Sequence, residues 1–170
     1  MHDIVVLCQY ILKINTSRRT TMNINEKITR LLNSSILSVQ KVLPFPLQIM
    51  KLEPITQPYF QHSIGVLIGL TGEISGRLLI EGNSSIFQQI GEKMYGFPLE
   101  GDILESFAGE IGNMISGNLA TLLSKDLTMD ITPPTIFVGE TKIYGFHRAF
   151  CIPIQCQDIG ELQLIFMLSK

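Results

Sequence analysis

Apolar positions along the chain recur at two periods, and the alternation between them divides the sequence into helical and extended segments. From Asn23 to Leu43, residues Ile24, Ile28, Leu31, Leu32, Ile36, Val39 and Leu43 follow helical spacing. Asn23 and Glu26 stand at the two positions of a capping box, and Pro44 and Pro46 prevent continuation. Leu47 to Leu52 reads as a short strand, followed by a connection through Pro54 and Pro58. In the next segment Ile64, Val66, Ile68 and Leu70 fall on one face at strand period, and Ile74, Leu78 and Ile80 follow after the turn, which predicts a hairpin. A short helix is expected from Asn83 and Ser84, with Ser85 and Gln88 at capping-box spacing, Ile86, Ile90 and Met94 turned inward, and Gly96 and Pro98 ending it. The last third reads as strand: residues 128–132, 135–138, an alternating run from Lys142 to Cys156, and a final strand with Leu162, Leu164, Phe166 and Leu168 on one face. These elements predict an α+β fold in which two long helices and a short helix pack on an antiparallel or mixed sheet. A long helix precedes strands twice, near Asn23 and near Asp102, a coarse echo of internal duplication.

The second long helix, Asp102 to Lys125, organises the rest. Asp102 is a candidate N-cap with Glu105 answering it, and Lys125 is a cation at the end where the dipole favours one. At ~100° per residue, Leu104, Phe107, Ile111, Ile115 and Leu122 share one stripe, and Ser106, Glu110, Asn113 and Gly117 lie roughly opposite. Gly109, Gly112 and Gly117 each cost about 1 kcal/mol relative to alanine within a helix. Close approach of another backbone, from this chain or from a partner, is the physical reason for such residues.

Composition narrows the possibilities. The 170 residues are 45% hydrophobic, enough for one globular domain with a real core. A formal charge of −2 without basic clusters argues against nucleic acid as a partner. No apolar run reaches the length of a membrane span. Residues 1–21 are expected to be an extension outside the domain, with Met22 as the biological start and 22–170 as a single domain. The apolar stretch Ile4 to Leu7 makes a poor signal peptide, since Gln9 breaks it and no basic leader precedes it. Three cysteines, Cys8, Cys151 and Cys156, lack zinc-ligand spacing and read as reduced cysteines of a cytoplasmic protein. Cys151 and Cys156, five positions apart, should point to opposite faces of one strand.

Candidate chemistry is sparse. His2, His62 and His147 have no partners at ligand spacing, no metal site is expected, and no nucleophile elbow is present. Gly72 and Gly76 lack the Lys-Ser/Thr pair of a phosphate loop and read as a turn. Taken alone, Ser106, Glu110 and Asn113 are also what any solvated helix face could carry.

Read with its surroundings, ESFAGEIGNMISGN followed by DITPPTIFVGE resembles the CheC/CheX/FliY family of chemotaxis phosphatases. The family pattern is Asp or Ser, three residues, Glu, two residues, Asn and a later Pro. Those positions fall here on Ser106, Glu110, Asn113 and Pro134, with Pro133 as the alternative and a slightly shorter interval to the proline than is usual. The resemblance runs from about Asn23 to Leu168 and includes Ile68 to Gly72, Gly76, Ile152 to Ile154 and Gly160. It implies a CheC-like fold and hydrolysis of the aspartyl phosphate on a CheY-type response regulator. The Mg2+ ion would belong to the regulator, and this chain would carry no cofactor of its own. Asn113 would hold the attacking water and Glu110 would pair with the regulator's lysine. Ser106, Gly109, Gly117 and Pro134 would meet the partner, Pro134 also fixing the exit of the helix–strand connection. On the first helix Arg30 stands where two-site members repeat the glutamate before Asn33, so one active face is implied, as in CheX. Members like CheX form homodimers by joining sheets, for which an edge strand of the last third would serve. A non-catalytic adaptor of the same fold, binding a receiver or flagellar switch component, is the alternative.

Overall fold

The computed structural model describes residues 22–170, so the expectations for residues 1–21, including Cys8, lie outside the described residues. Three helices cover one face of a large sheet whose paired strands all run antiparallel. Helix α1 spans Ile24–Val42 and opens on Asn23 with the expected capping box, both of its reciprocal hydrogen bonds being present. Strands β1 (Leu47–Ile49), β2 (Glu53–Ile55) and β3 (Tyr59–Gln61) lead to the hairpin of β4 (Ile64–Gly72) and β5 (Gly76–Gly82). Helices α2 (Ser84–Tyr95) and α3 (Gly101–Leu123) follow, then β6 (Met129–Ile131), β7 (Thr135–Val138), β8 (Thr141–Ile143), β9 (Arg148–Cys156) and β10 (Gly160–Leu168).

The sheet order is β1-β9-β10-β5-β4-β6, with β2 alongside β1 on β9 and β7 beyond β6 on β4. Of the strands in the last third, β9 and β10 are flanked on both sides, and β6 and β7 form a sheet edge. Alternation decides the faces. Leu162, Leu164, Phe166 and Leu168 of β10 join the core beneath the helices with Val66, Ile68, Leu78 and Ile80. Leu79, Ile165, Met167 and Cys151 point the other way into a smaller cluster under the β3–β8 pair. Cys151 and Cys156 therefore occupy opposite faces, and both are buried free thiols.

Four local expectations need correction. The run from Lys142 to Cys156 is two strands rather than one, because Gly145 at φ 78° turns the chain and β8 leaves the main sheet to pair with β3. Pro54 belongs to strand β2, which pairs with β9 at the edge of the sheet, where a proline is tolerated. The short helix is capped at Asn83 without a side-chain bond, so Ser85 falls inside its first turn. Helix α3 starts at Gly101 with Glu100 as its extended N-cap, because buried Leu99 fixes the chain just before it; Asp102 lies in the first turn and Lys125 lies past the end.

Candidate functional site

Helix α3 is held from two sides, and this sets which of its residues remain free. It packs into the core over the sheet through Leu104, Phe107, Ala108, Ile111 and Ile115. Along its C-terminal half runs α1, antiparallel, with Ser38 Oγ donating to the Ile115 carbonyl at 2.6 Å and Arg30 pairing with Asp126 at 2.6 Å. The buried side consequently turns toward Gly112, Ser116, Leu119 and Leu123. Leu122, expected on the apolar stripe, is instead 39% exposed.

The remaining arc carries the polar residues. Ser106, Glu110 and Asn113 are exposed and Gly117 is half-buried. Glu110 and Asn113 are three positions apart, so their side chains are neighbours on the helix surface. Asn113 enters the hydrogen-bond network through its backbone carbonyl, which accepts from Ser116 Oγ at 3.3 Å. The ion pairs among the described residues are Lys27–Glu73 and Arg30–Asp126, neither involving Glu110. A carboxylate and an amide therefore stand side by side with their hydrogen-bonding capacity turned outward. An amide both donates and accepts, and it does not titrate near neutrality.

The three glycines separate into different roles. A Cβ on Gly112 would meet Val66 Cγ1 at 2.6 Å, and one on Gly109 would meet Ile136 Cδ1 at 3.0 Å and Pro134 Cγ at 4.0 Å. The close approach at both is internal: Gly109 is buried beneath Ile136 of β7 and Pro134 of the loop before it. Gly117 has nothing within 4 Å of a Cβ position. Pro134 is half-buried beside Gly109, whereas Pro133 is exposed. Sequence reasoning missed what fixes this proline: Thr132 bonds Gly69 twice, its Oγ1 accepting from Gly69 N at 2.8 Å and its N donating to Gly69 O at 3.0 Å. Residues Thr135 to Val138 then pair with β4. The signal available was Gly69 inside an otherwise bulky strand, which marks close approach by a neighbour.

Among the described residues, no group of three or more His, Cys, Asp or Glu side chains could hold a metal ion, and no helix is long and apolar enough to cross a membrane. Glu73 is held below the usual carboxylate range by the backbone N–H of Thr128 and then by Lys27. Burial pushes the Cys151 thiol up to about 12 and that of Cys156 up to about 11.

Residues 64–155 match the family model described as chemotaxis phosphatase CheX. The chain is 31% identical over 133 residues to the CheY-P phosphatase CheX of Thermotoga maritima, covering 75% of this chain and 85% of that protein. In fold it is similar to a CheC-like superfamily protein from Shewanella sp. PV-4, with a TM-score of 0.71 at 22% identity over 88% of this chain and 100% of that one. It is also similar to CheX in the CheX–CheY–BeF3–Mg2+ complex from Borrelia burgdorferi, with a TM-score of 0.70 at 21% identity over 84% and 97% of the two chains. The fold is CheC-like, and the chain belongs to the CheX family within the CheC/CheX/FliY group of chemotaxis phosphatases.

Proposed function

We propose that the exposed face of α3 hydrolyses the aspartyl phosphate of a CheY-type response regulator. The observation that carries this reading is the outward-facing pair Glu110 and Asn113 on the central helix of a CheX-family chain. The Thermotoga relative is a CheY-P phosphatase and the Borrelia neighbour is in complex with CheY, which supports a receiver as the partner here.

In this mechanism the chain supplies position and no covalent nucleophile. The Asn113 amide accepts from and donates to the attacking water, holding it in line with phosphorus. Glu110 pairs with the regulator's active-site lysine and fixes the register of the two proteins. Ser106 and Gly117 lie along the contact, and Pro134, seated against Gly109, borders it. The Mg2+ carried by the regulator supplies charge neutralisation at the phosphoryl group. Water orientation of this kind suffices for large effects, since each ~1.4 kcal/mol of barrier is tenfold in rate. The protein works in the cytoplasm, where its regulator is, and the exposed β6–β7 edge offers a seam for a homodimer.

Phosphate release from cognate phosphorylated regulators tests the reading. Asn113→Ala should lower turnover by about a hundredfold or more, the usual cost of losing a positioning group, with binding largely kept. Glu110→Ala should weaken binding and turnover together. Unchanged decay in the presence of the parent protein, despite demonstrated binding, would overturn the proposal in favour of a non-catalytic adaptor.

A further inference from the structure

The face that carries Glu110 and Asn113 continues past Ser106. Ile103, one turn nearer the start of α3, is 65% exposed, more than any other large hydrophobic side chain among the described residues. At ~100° and ~1.5 Å per residue it falls about 20° from Glu110 around the helix and roughly 10 Å along it. Two exposed aromatic residues, from the end of α2 and the connection to α3, reach the same end of α3 through Phe107. Tyr95 is 52% exposed and Phe97 54% exposed, and their rings stack at 6.2 Å between centroids. Tyr95 also meets Phe107 edge-on at 5.6 Å, and Phe107 lies one turn on from Ile103.

A lone exposed hydrophobic residue is ordinary. Ile103 at the end of a polar face, with an exposed aromatic pair linked to the next turn of α3 through Phe107, has the anatomy of a recognition surface, in which apolar anchors adjoin polar contacts. Tyr95 is held edge-on against Phe107 and Phe97 stacks on Tyr95, so little freedom is lost when a partner covers them. We propose that Ile103, Tyr95 and Phe97 form an apolar anchor that docks the receiver domain of the phosphorylated regulator. This rests on the reading of Glu110 and Asn113 given above. The receiver is the occupant because of distance. A standard interface covers ~800 Å² on each partner, a disc of about 16 Å radius, so a protein engaged at Glu110 also covers Ile103.

An anchor remote from the phosphoryl group contributes equally to the ground state and the transition state, so its loss should appear in KM and not in kcat. The test compares the parent, Ile103→Asp and Phe97→Ser for phosphate release from phosphorylated receivers and for binding to a beryllofluoride-activated receiver. Aspartate in the first turn of α3 suits the helix dipole, so Ile103→Asp should fold as the parent does, checked by its melting curve. The expected result is an increase in KM and Kd of about tenfold or more, equivalent to ~1.4 kcal/mol, with kcat within about twofold. Unchanged KM and Kd, in a protein whose turnover Asn113→Ala abolishes, would overturn the anchor and leave the catalytic reading intact. A fall in kcat at unchanged KM would also overturn it. A parent that neither binds nor dephosphorylates any receiver would overturn both.

Discussion

Replacing Gly112 with alanine measures how closely α3 is seated on the sheet. The added Cβ would lie 2.6 Å from Val66 Cγ1 and 3.3 Å from Ile68 Cδ1. Carbon atoms in contact normally sit ~3.5–4.0 Å apart, so the first of these is an overlap of about 1 Å. Val66 cannot yield easily. It is fully buried, branched at Cβ, and flanked by Ile80 on β5 and Ile136 on β7. Overpacking of a well-packed core costs ~1–3 kcal/mol, and a stiff neighbour puts this case near the upper end. Exchanging glycine for alanine in a helix returns about 1 kcal/mol, leaving a net loss of about 2 kcal/mol. Gly117→Ala is the internal control: with nothing within 4 Å of its Cβ position, it should gain about 1 kcal/mol. Gly109→Ala should fall between them, since the nearest atom is the terminal methyl of Ile136, which can move. Urea unfolding followed by far-UV circular dichroism, with m-values compared across the series, resolves differences of this size. A Gly112→Ala protein as stable as the parent would refute the claim that contact with Val66 requires glycine there.

Two further outcomes follow from the structure. Asn23→Ala removes the bond from Glu26 N to Asn23 Oδ1 at 3.0 Å and leaves its reciprocal at 2.9 Å unsupported, so thermal unfolding should show a loss of about 1 kcal/mol. Cys151 and Cys156, with thiols raised to about 12 and about 11 by burial, should resist alkylation at pH 8 in the native protein and react fully in denaturant, as read by peptide mapping. Since both folded values lie above the unfolded thiol's ~8.5, their contribution to stability is full below that pH. It declines as pH rises toward 11 to 12, because the unfolded chain releases protons first. Denaturation midpoints that stay flat from pH 8 to 10.5 would contradict this.

The elements most legible in the sequence are those whose side chains report a single environment. The β4–β5 hairpin and β10 are legible because the residues two apart that meet the helices are all bulky and apolar, although the opposite face also packs, in a smaller cluster. Asn23 and Glu26 mark the start of α1 because the capping box is a local interaction. What escaped depends on long-range packing. Leu122 has the right phase for the apolar stripe, but α1 turns the buried side of α3 away from it. Asp102 has the right chemistry for a cap, but buried Leu99 starts the helix sooner. The polar face of the candidate site was readable from helical period alone. Its frame was not, since periodicity cannot say that Gly109 lies under Ile136 while Gly117 lies under nothing. Ile103 is legible as an apolar residue interrupting the polar arc, though only the fold brings Tyr95 against Phe107, one turn further along α3.

Arg30 and Asn33 on α1 stand at the same spacing as Glu110 and Asn113 on α3, but an arginine replaces the glutamate, and the structure shows where that arginine is directed. Arg30 directs a guanidinium nitrogen to Asp126 at 2.6 Å, and both side chains are about one-third exposed. Such a pair contributes little stability, ~0–1 kcal/mol, but it ties the start of α1 to the turn after α3. A glutamate in place of Arg30 would set two carboxylates against each other at that junction. The rest of α1 is similarly turned toward support. Lys27 bonds Glu73 at 3.1 Å, whose other oxygen accepts from Thr128 N at 2.8 Å, and Ser38 bonds the middle of α3. These contacts brace the turn between β4 and β5, the exit of α3 and its central carbonyls. The water-orienting role proposed for Asn113 requires a support that moves by well under ~1 Å, and these contacts from α1 restrain α3 in that way.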